Sequence, residues 1–283
     1  MENGIVSESN RKILNKRLEK YGITEARAKE LEYFAKQEYL ESKKVKFESE
    51  EEKEYYEFIV DLMENGAISE NSRKILDKRK IKFGISETRA KELEEFAKQN
   101  NSAYSNDLLE EGKTYCNNEE YDKAIEIFKK ATELNPNEYL NWQWLGRSYY
   151  ERLNDGDEEN AINSLLKAVE LNPNDDSNWY WLGRSYRANS QDKEEKEAFL
   201  KASELNPNNA NNWHWLGVSY FYDKQYDKAI ESFLKAVGLN PNDDNNWDKL
   251  ILSYRFNGQY DKAIESSLKA IEINPNSRYY WHW

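Results

Sequence analysis

The chain of 283 residues carries one cysteine, two histidines, two methionines and five prolines. A lone thiol, Cys116, cannot close an internal disulfide. Only His214 and His282 stand beside it as soft ligands, in separate stretches, so no zinc set can be assembled. No apolar run approaches the ~20 residues of a membrane span. The opening Met-Glu-Asn-Gly lacks the basic-then-apolar pattern of a secretory signal. HExxH, CxxC and phosphate-cradling glycine loops are missing too. The expectation is a cytoplasmic protein with no catalytic residues, no metal, no cofactor and no membrane partner.

Charge of one sign is also scarce. There are 41 Lys+Arg against 53 Asp+Glu, a net charge of −12. The first hundred residues hold 21 basic and 22 acidic groups, leaving 20 and 31 for the rest. Nucleic-acid affinity rests mainly on neutralising phosphates, so the acidic part argues against that ligand. Disorder is excluded by nine Trp, twenty Tyr and ten Phe, too many for a chain that cannot form a core.

The few prolines act as a ruler. Pro136, Pro173, Pro207, Pro241 and Pro275 each follow Leu-Asn or Ile-Asn and precede Asn, at intervals of 37, 34, 34 and 34 residues. A period near 34 marks a solenoid of helix-turn-helix units, each stable only when stacked on its neighbours. Within one unit, Trp142, Leu145, Gly146 and Tyr149 form one helical stripe. Gly146 weakens its helix, which predicts close approach of a second helix carrying Ala161, Leu165 and Ala168. Asn172-Pro173 ends that second helix.

The pattern Trp-x-x-Leu-Gly-x-x-Tyr, then Ala-x-x-x-Phe-x-x-Ala, then Pro resembles the tetratricopeptide repeat. It reads as Trp213, Leu216, Gly217, Tyr220, Ala229, Phe233, Ala236 and Pro241, and again as Trp179, Leu182, Gly183, Tyr186, Phe199, Ala202 and Pro207. The first unit has Leu108 in place of Trp, and the fifth has Ile251 for the glycine and Ser267 for the aromatic. The resemblance covers residues 103–283 as five repeats plus the start of a sixth, cut off within its first helix at Trp281 and Trp283. It implies an all-α fold: a right-handed superhelical solenoid preceded by small tandem helical modules. Two irregularities stand near the middle. The second unit has three extra residues around 154–157, and the third has Asp192 and Glu195 where its siblings have Tyr and Ala, which predicts looser packing of its second helix.

At ~100° per residue, Trp144 and Arg147 fall roughly 200° and 140° from Trp142, outside the packing stripe. In tetratricopeptide stacks this side of the first helix lines the concave groove, so the resemblance implies a partner-binding row. It comprises Trp144, Arg147, Tyr150, Tyr180, Trp181, Arg184, Arg187, His214, Trp215, Phe221, Tyr222 and Arg255, with Gln143, Lys249 and Phe256 on the same side. Trp, Tyr and Arg dominate interface energetics. The alternative is that these aromatics pack between repeats, with each Arg over a Trp three residues before it. The chaperone-tail clamp of this family is not preserved, since its places hold Leu109, Lys113 and Trp144.

Residues 1–37 and 63–99 align without a gap and match at 26 of 37 positions. Each copy has a helical stretch (11–20 and 73–82), a glycine stop (Gly22, Gly84) and a helix cap (Thr24, Ser86) before a second helix. A leading helix from a capping box Ser49-x-x-Glu52 runs through Tyr55, Phe58, Ile59 and Leu62 ahead of the second copy. These are two related small helical modules within 1–100, the first incomplete and the second at about 49–100. They look like short helical adaptor modules attached to bacterial signalling and defence proteins. The cluster Arg73, Lys74, Lys78, Arg79, Lys80 and Lys82 reads as a solvated face balanced by glutamates, with nucleic-acid contact the alternative.

The function expected is a protein-interaction scaffold or adaptor holding a partner peptide or helix in the aromatic and arginine-lined groove, not an enzyme. The alternative is a regulatory or sensor region of a larger signalling or defence protein whose effector part lies elsewhere. The open sixth unit predicts that the chain either self-associates through its uncapped C-terminal repeat or frays after about Pro275.

Overall fold

The computed structural model describes residues 47–64, 67–152, 154 and 156–275. The first N-terminal copy, with its helix 11–20, Gly22 and Thr24, lies outside them, as do Trp281, His282 and Trp283 of the sixth unit. The chain divides into two compact units after Tyr104.

In the first unit, α1 (Glu50–Leu62) is followed by β1 (Met63–Glu64), β2 (Ala67–Ile68), α2 (Glu70–Phe83) and the start of α3 (Glu87–Asn117). Ser49 caps α1 by accepting from the Glu52 amide, as the capping box predicts. The Glu52 carboxylate takes the Glu48 amide at 2.9 Å and a two-pronged bond from Arg89, Nε and Nη2 each at 3.1 Å. Gly84 ends α2 at φ 68°, and the Ser86 hydroxyl caps α3 through the Arg89 amide. Tyr55, Ile59, Met63, Leu76, Ala90, Leu93 and Ala97 make the core. The strands pair antiparallel, Met63 with Ile68, over two residues only; helical periodicity carries no signal for so short a pairing.

The second unit is a run of antiparallel helix pairs: the end of α3 with α4 (Tyr121–Leu134), then α5 (Tyr139–Arg152) with α6 (Asp157–Leu171), and α7 (Asp176–Ala188) with α8 (Asp192–Leu205). Next come α9 (Ala210–Tyr222) with α10 (Tyr226–Leu239), and α11 (Asp244–Phe256) with α12 (Tyr260–Ile273). Within the first four pairs the glycine is needed for contact. A methyl added at Gly217 would lie 2.8 Å from the Phe233 ring, and one at Gly183 2.9 Å from Phe199. The fifth repeat solves the same problem in reverse. Ile251 is fully buried and Ser267 stands where Phe233 stands one repeat earlier, so bulk has moved from one helix to its partner.

The turn inside each repeat needs one residue in the left-handed region, always 17 positions before the proline: Glu119 (φ 60°), Gly156 (84°), Ser190 (56°), Lys224 (59°) and Gly258 (74°). After it, the amides of Glu120, Gln191, Gln225 and Gln259 reach back to Tyr115, Tyr186, Tyr220 and Tyr254 at 2.9 Å, closing the first helix. In the second repeat the extra residues fall before this turn. Asp157 pins them, accepting from Arg152 Nε (2.8 Å), Arg152 Nη2 (2.6 Å) and the Asn154 amide (3.1 Å).

Repeats are joined by a hydrogen-bonded seam. Each second helix ends with an Asn amide on an alanine carbonyl, as Asn172 to Ala168 at 2.9 Å. The proline that follows offers its carbonyl to the next tryptophan. Trp142, Trp179, Trp213 and Trp247 donate Nε1–H to Pro136, Pro173, Pro207 and Pro241, all at 2.8 Å. In three of the four joints the buried Asn before the Trp binds the same helix end. Asn141, Asn178 and Asn212 donate to Ala131, Ala168 and Ala202 at 3.0–3.2 Å.

The looser packing expected of the third repeat is not found. Asp192 sits exposed at the start of α8, and Ala198, Phe199 and Ala202 are as buried as their counterparts. Glu195 is 3% exposed because Arg187 Nη1 (3.1 Å) and Ser219 Oγ (2.7 Å) compensate it.

Two stability outcomes follow from these joints. Lys224→Gly should raise stability by ~0.5–1 kcal/mol, because it relieves a left-handed lysine at the cost of a looser unfolded chain; the urea midpoint reads it. Ile251→Gly should cost about 4 kcal/mol through the cavity and the helix glycine. Adding Ser267→Phe should restore most of that loss, whereas Ser267→Phe alone should destabilise by overpacking.

Candidate partner-binding face

The first helices α5, α7, α9 and α11 are amphipathic in an unusual way: a Trp on the packing stripe is followed two residues later by a second aromatic in three of them. Those second tryptophans are half-buried against the neighbouring second helices. Trp144 stacks on Phe128 (6.2 Å, 26°) and Trp215 on Phe199 (5.9 Å, 20°). Trp181 takes Tyr150 and Tyr180 edge-on at 5.7 and 5.3 Å.

Arginines bind these rings across repeats. The Arg147 guanidinium lies 4.6 Å from the Trp144 ring and 4.7 Å from Trp181, bridging two repeats. Arg184 lies 4.3 Å from Trp215 of the following repeat and 5.1 Å from Tyr150 of the preceding one. It also donates Nη2–H to the Tyr150 hydroxyl (2.7 Å) and Nη1–H to Tyr180 (2.9 Å). Arg187 reaches Trp215 (5.5 Å) and Tyr222 (4.9 Å) while paired with Glu195. Stacking on a Trp three residues earlier holds for Arg147; Arg184 stacks on Trp215 of the following repeat and contacts both flanking repeats. Desolvated cation–π contacts of this kind reach about 2 kcal/mol.

The row continues into an aromatic cluster. Phe221 meets Tyr222, Tyr226 and Phe256 edge-on at 5.5–5.8 Å, and Tyr226 stacks on Phe256. Tyr222 and Phe256 are 65% and 60% exposed. Arg255 stands half-buried on α11 beside Phe256, and Lys249, nearly two turns earlier, lies 3.5 Å from Asp248. Thus Trp144, Arg147, Tyr150, Tyr180, Trp181, Arg184, Arg187, Trp215 and Tyr222 form one contact chain, and Phe221 extends it through Tyr222.

Gln143 departs from the expected row. It is buried in the seam and donates to Asn178 Oδ1 at 2.6 Å. His214 occupies the same place one pair of repeats later. Its Nδ1 lies 2.6 Å from Asn246 Oδ1, an oxygen that can only accept, so the proton is on Nδ1. The matching positions Leu109 and Tyr180 supply no donor there, and the Asn141 and Asn212 oxygens have no partner among the described residues. The buried asparagines are the feature sequence reasoning passed over, although an Asn precedes the repeat Trp in four units.

Burial pushes the His214 imidazole below its ordinary pKa; Asn246 and Asp243 pull the other way, and Lys249 and Arg184 add to the depression. Burial likewise pushes the Cys116 thiol up, so it is a weak nucleophile beside Ser148. Among the described residues no cluster of His, Cys, Asp and Glu could hold a metal ion, and no helix is long and apolar enough to cross a membrane.

Tetratricopeptide repeat models match residues 106–138, 141–175, 164–197, 210–243 and 252–277. The chain belongs to the tetratricopeptide repeat family. Solved tetratricopeptide structures share the fold. A MamA protein is 26% identical at a TM-score of 0.55, covering 60% of this chain and 92% of its own. MamA residues 41 to the end from Desulfovibrio magneticus RS-1 give 20% and 0.55, over 62% and 97%. YrrB, described as a tetratricopeptide protein with an unusual peptide-binding site, gives 20% and 0.53, over 62% and 89%. At 20% the likeness is one of fold alone. No curated protein matches the chain.

His214 makes stability depend on pH. A depressed folded pKa means the unfolded chain binds the proton more readily, so stability is complete above about pH 6.5 and falls as pH drops below it. His214→Gln keeps a donor for Asn246, as Gln143 does for Asn178, and should flatten this loss. Urea midpoints at pH 7.5 and 5.5 check it: the wild type should lose more than the variant.

Proposed function

We propose that this member of the family is a protein-interaction scaffold that holds a partner peptide or helix on the face made by Trp144, Trp181 and Trp215 with their arginines. The observation that supports it is duplication of purpose. Repeats two to five each supply one tryptophan N–H to the seam, so the second tryptophan of repeats two to four is not used for that hydrogen bond. A half-exposed row of Trp, Tyr and Arg held rigid by mutual stacking is the composition of an interface hot spot. Preorganisation of this sort lowers the entropy lost on binding. YrrB sets a precedent for peptide binding by the fold and nothing finer. The N-terminal copies would then serve as a separate docking module for a second component.

Display selection of random 16-residue peptides on the whole chain tests the reading. Peptides enriched on the wild type should bind Trp181→Ala and Trp215→Ala, each shown folded by circular dichroism, about 30-fold more weakly. Enriched peptides whose affinity is unchanged in both variants would remove the reading.

A further inference from the structure

Arg184 is the cation on this face whose charge the protein leaves unanswered. It is half-buried among Tyr150, Tyr180 and Trp215, and of the five N–H groups of a guanidinium two are taken, both by neutral tyrosine hydroxyls. No carboxylate among the described residues lies within ion-pair distance of it. Other arginines of the repeats are treated differently. Arg187 is paired with the buried Glu195 and Arg152 is forked onto Asp157, each carboxylate under 5% exposed in its side chain. Arg147 has Glu151 at 3.9 Å. A chain with a net charge of −12 thus keeps one half-buried cation out of ion-pair distance of every carboxylate among the described residues. Removing a guanidinium from water without a counter-charge is unfavourable, and an apolar side chain of that length would pack on the same rings without that penalty. Ring faces and hydroxyl oxygens hold the group in place and orient it, yet three N–H groups remain for another acceptor.

We propose that Arg184 is a binding residue for an acidic side chain: the partner segment presents an Asp or Glu whose carboxylate is received by the guanidinium between Tyr150, Tyr180 and Trp215. This rests on the scaffold reading above. It differs from capture of a chain terminus, because the terminal-carboxylate clamp of the family would fall at Leu109, Lys113 and Trp144, where the residues do not fit it. Lys249 adds positive potential near the same place, since both it and Arg184 depress the pKa of the neutral His214 imidazole. Charge complementarity therefore favours an acidic partner over a basic one.

The peptides selected on the whole chain give the test. Those sensitive to Trp181→Ala should share one fixed Asp or Glu, and changing it to Asn or Gln should weaken binding at least tenfold. In Arg184→Met that discrimination should vanish, while Arg184→Lys should keep part of it. Melting of Arg184→Met should be unchanged or higher, as expected when a half-buried charge with no counter-ion among the described residues is removed. Trp181-sensitive peptides with no acidic position overturn this inference and leave the scaffold reading standing, and so does an acidic preference that survives in Arg184→Met. Should Arg184→Met fail to fold, the peptide-side substitution against the wild type and Arg184→Lys decides. Peptides insensitive to both tryptophan variants overturn the scaffold reading itself.

Discussion

The repeat unit rests on one joint, the end of each second helix against the start of the next first helix. A helix terminus leaves carbonyls without intrahelical partners, and the stack meets them with side-chain donors from the next repeat. Here the proline carbonyl is met by an indole N–H at 2.8 Å four times over, and the preceding alanine carbonyl by a buried asparagine in three of the four. Both donors are rigidly spaced from the proline, so the joint sets the step from one repeat to the next. The glycine-to-phenylalanine contacts inside each pair then have a constant geometry to fill, and the fifth repeat can exchange its bulky partner without altering the step.

The same step brings the second tryptophans into register. Because the spacing is fixed, Arg147 and Arg184 each span from one repeat to the next and settle between rings. The face is therefore stiff by construction, and its chemistry varies along the stack. It is cationic in the second and third repeats, then passes through the partly buried Phe221 to the exposed aromatics Tyr222 and Phe256. Compensation follows the same local logic. Glu195 and Asp157 are buried because an arginine from the preceding first helix meets each of them.

Much of this was legible in the chain. Proline spacing, the tryptophan stripe and the small residues at 146, 183 and 217 dictate paired helices, since each has one physical cause that acts within a few residues. The capping residues Ser49 and Ser86 and the stop at Gly84 were equally local. The partners of polar groups were not. Gln143 reads as a surface residue by its angle on α5, and only the neighbouring repeat turns it into a seam donor. Glu195 reads as a flaw in α8 until Ser219 and Arg187 are placed around it.

The sequence by itself determined the solenoid, its period, the helix limits and the row of aromatics and arginines, because helix periodicity and proline chemistry act along the chain. Tertiary structure decided which arginines are neutralised and which is not, and which asparagines are buried with an oxygen unmet. Those outcomes depend on how helices pack, within a repeat for Arg152–Asp157 and Arg187–Glu195 and across repeats for Arg184–Tyr150 and Gln143–Asn178, and no local propensity encodes them.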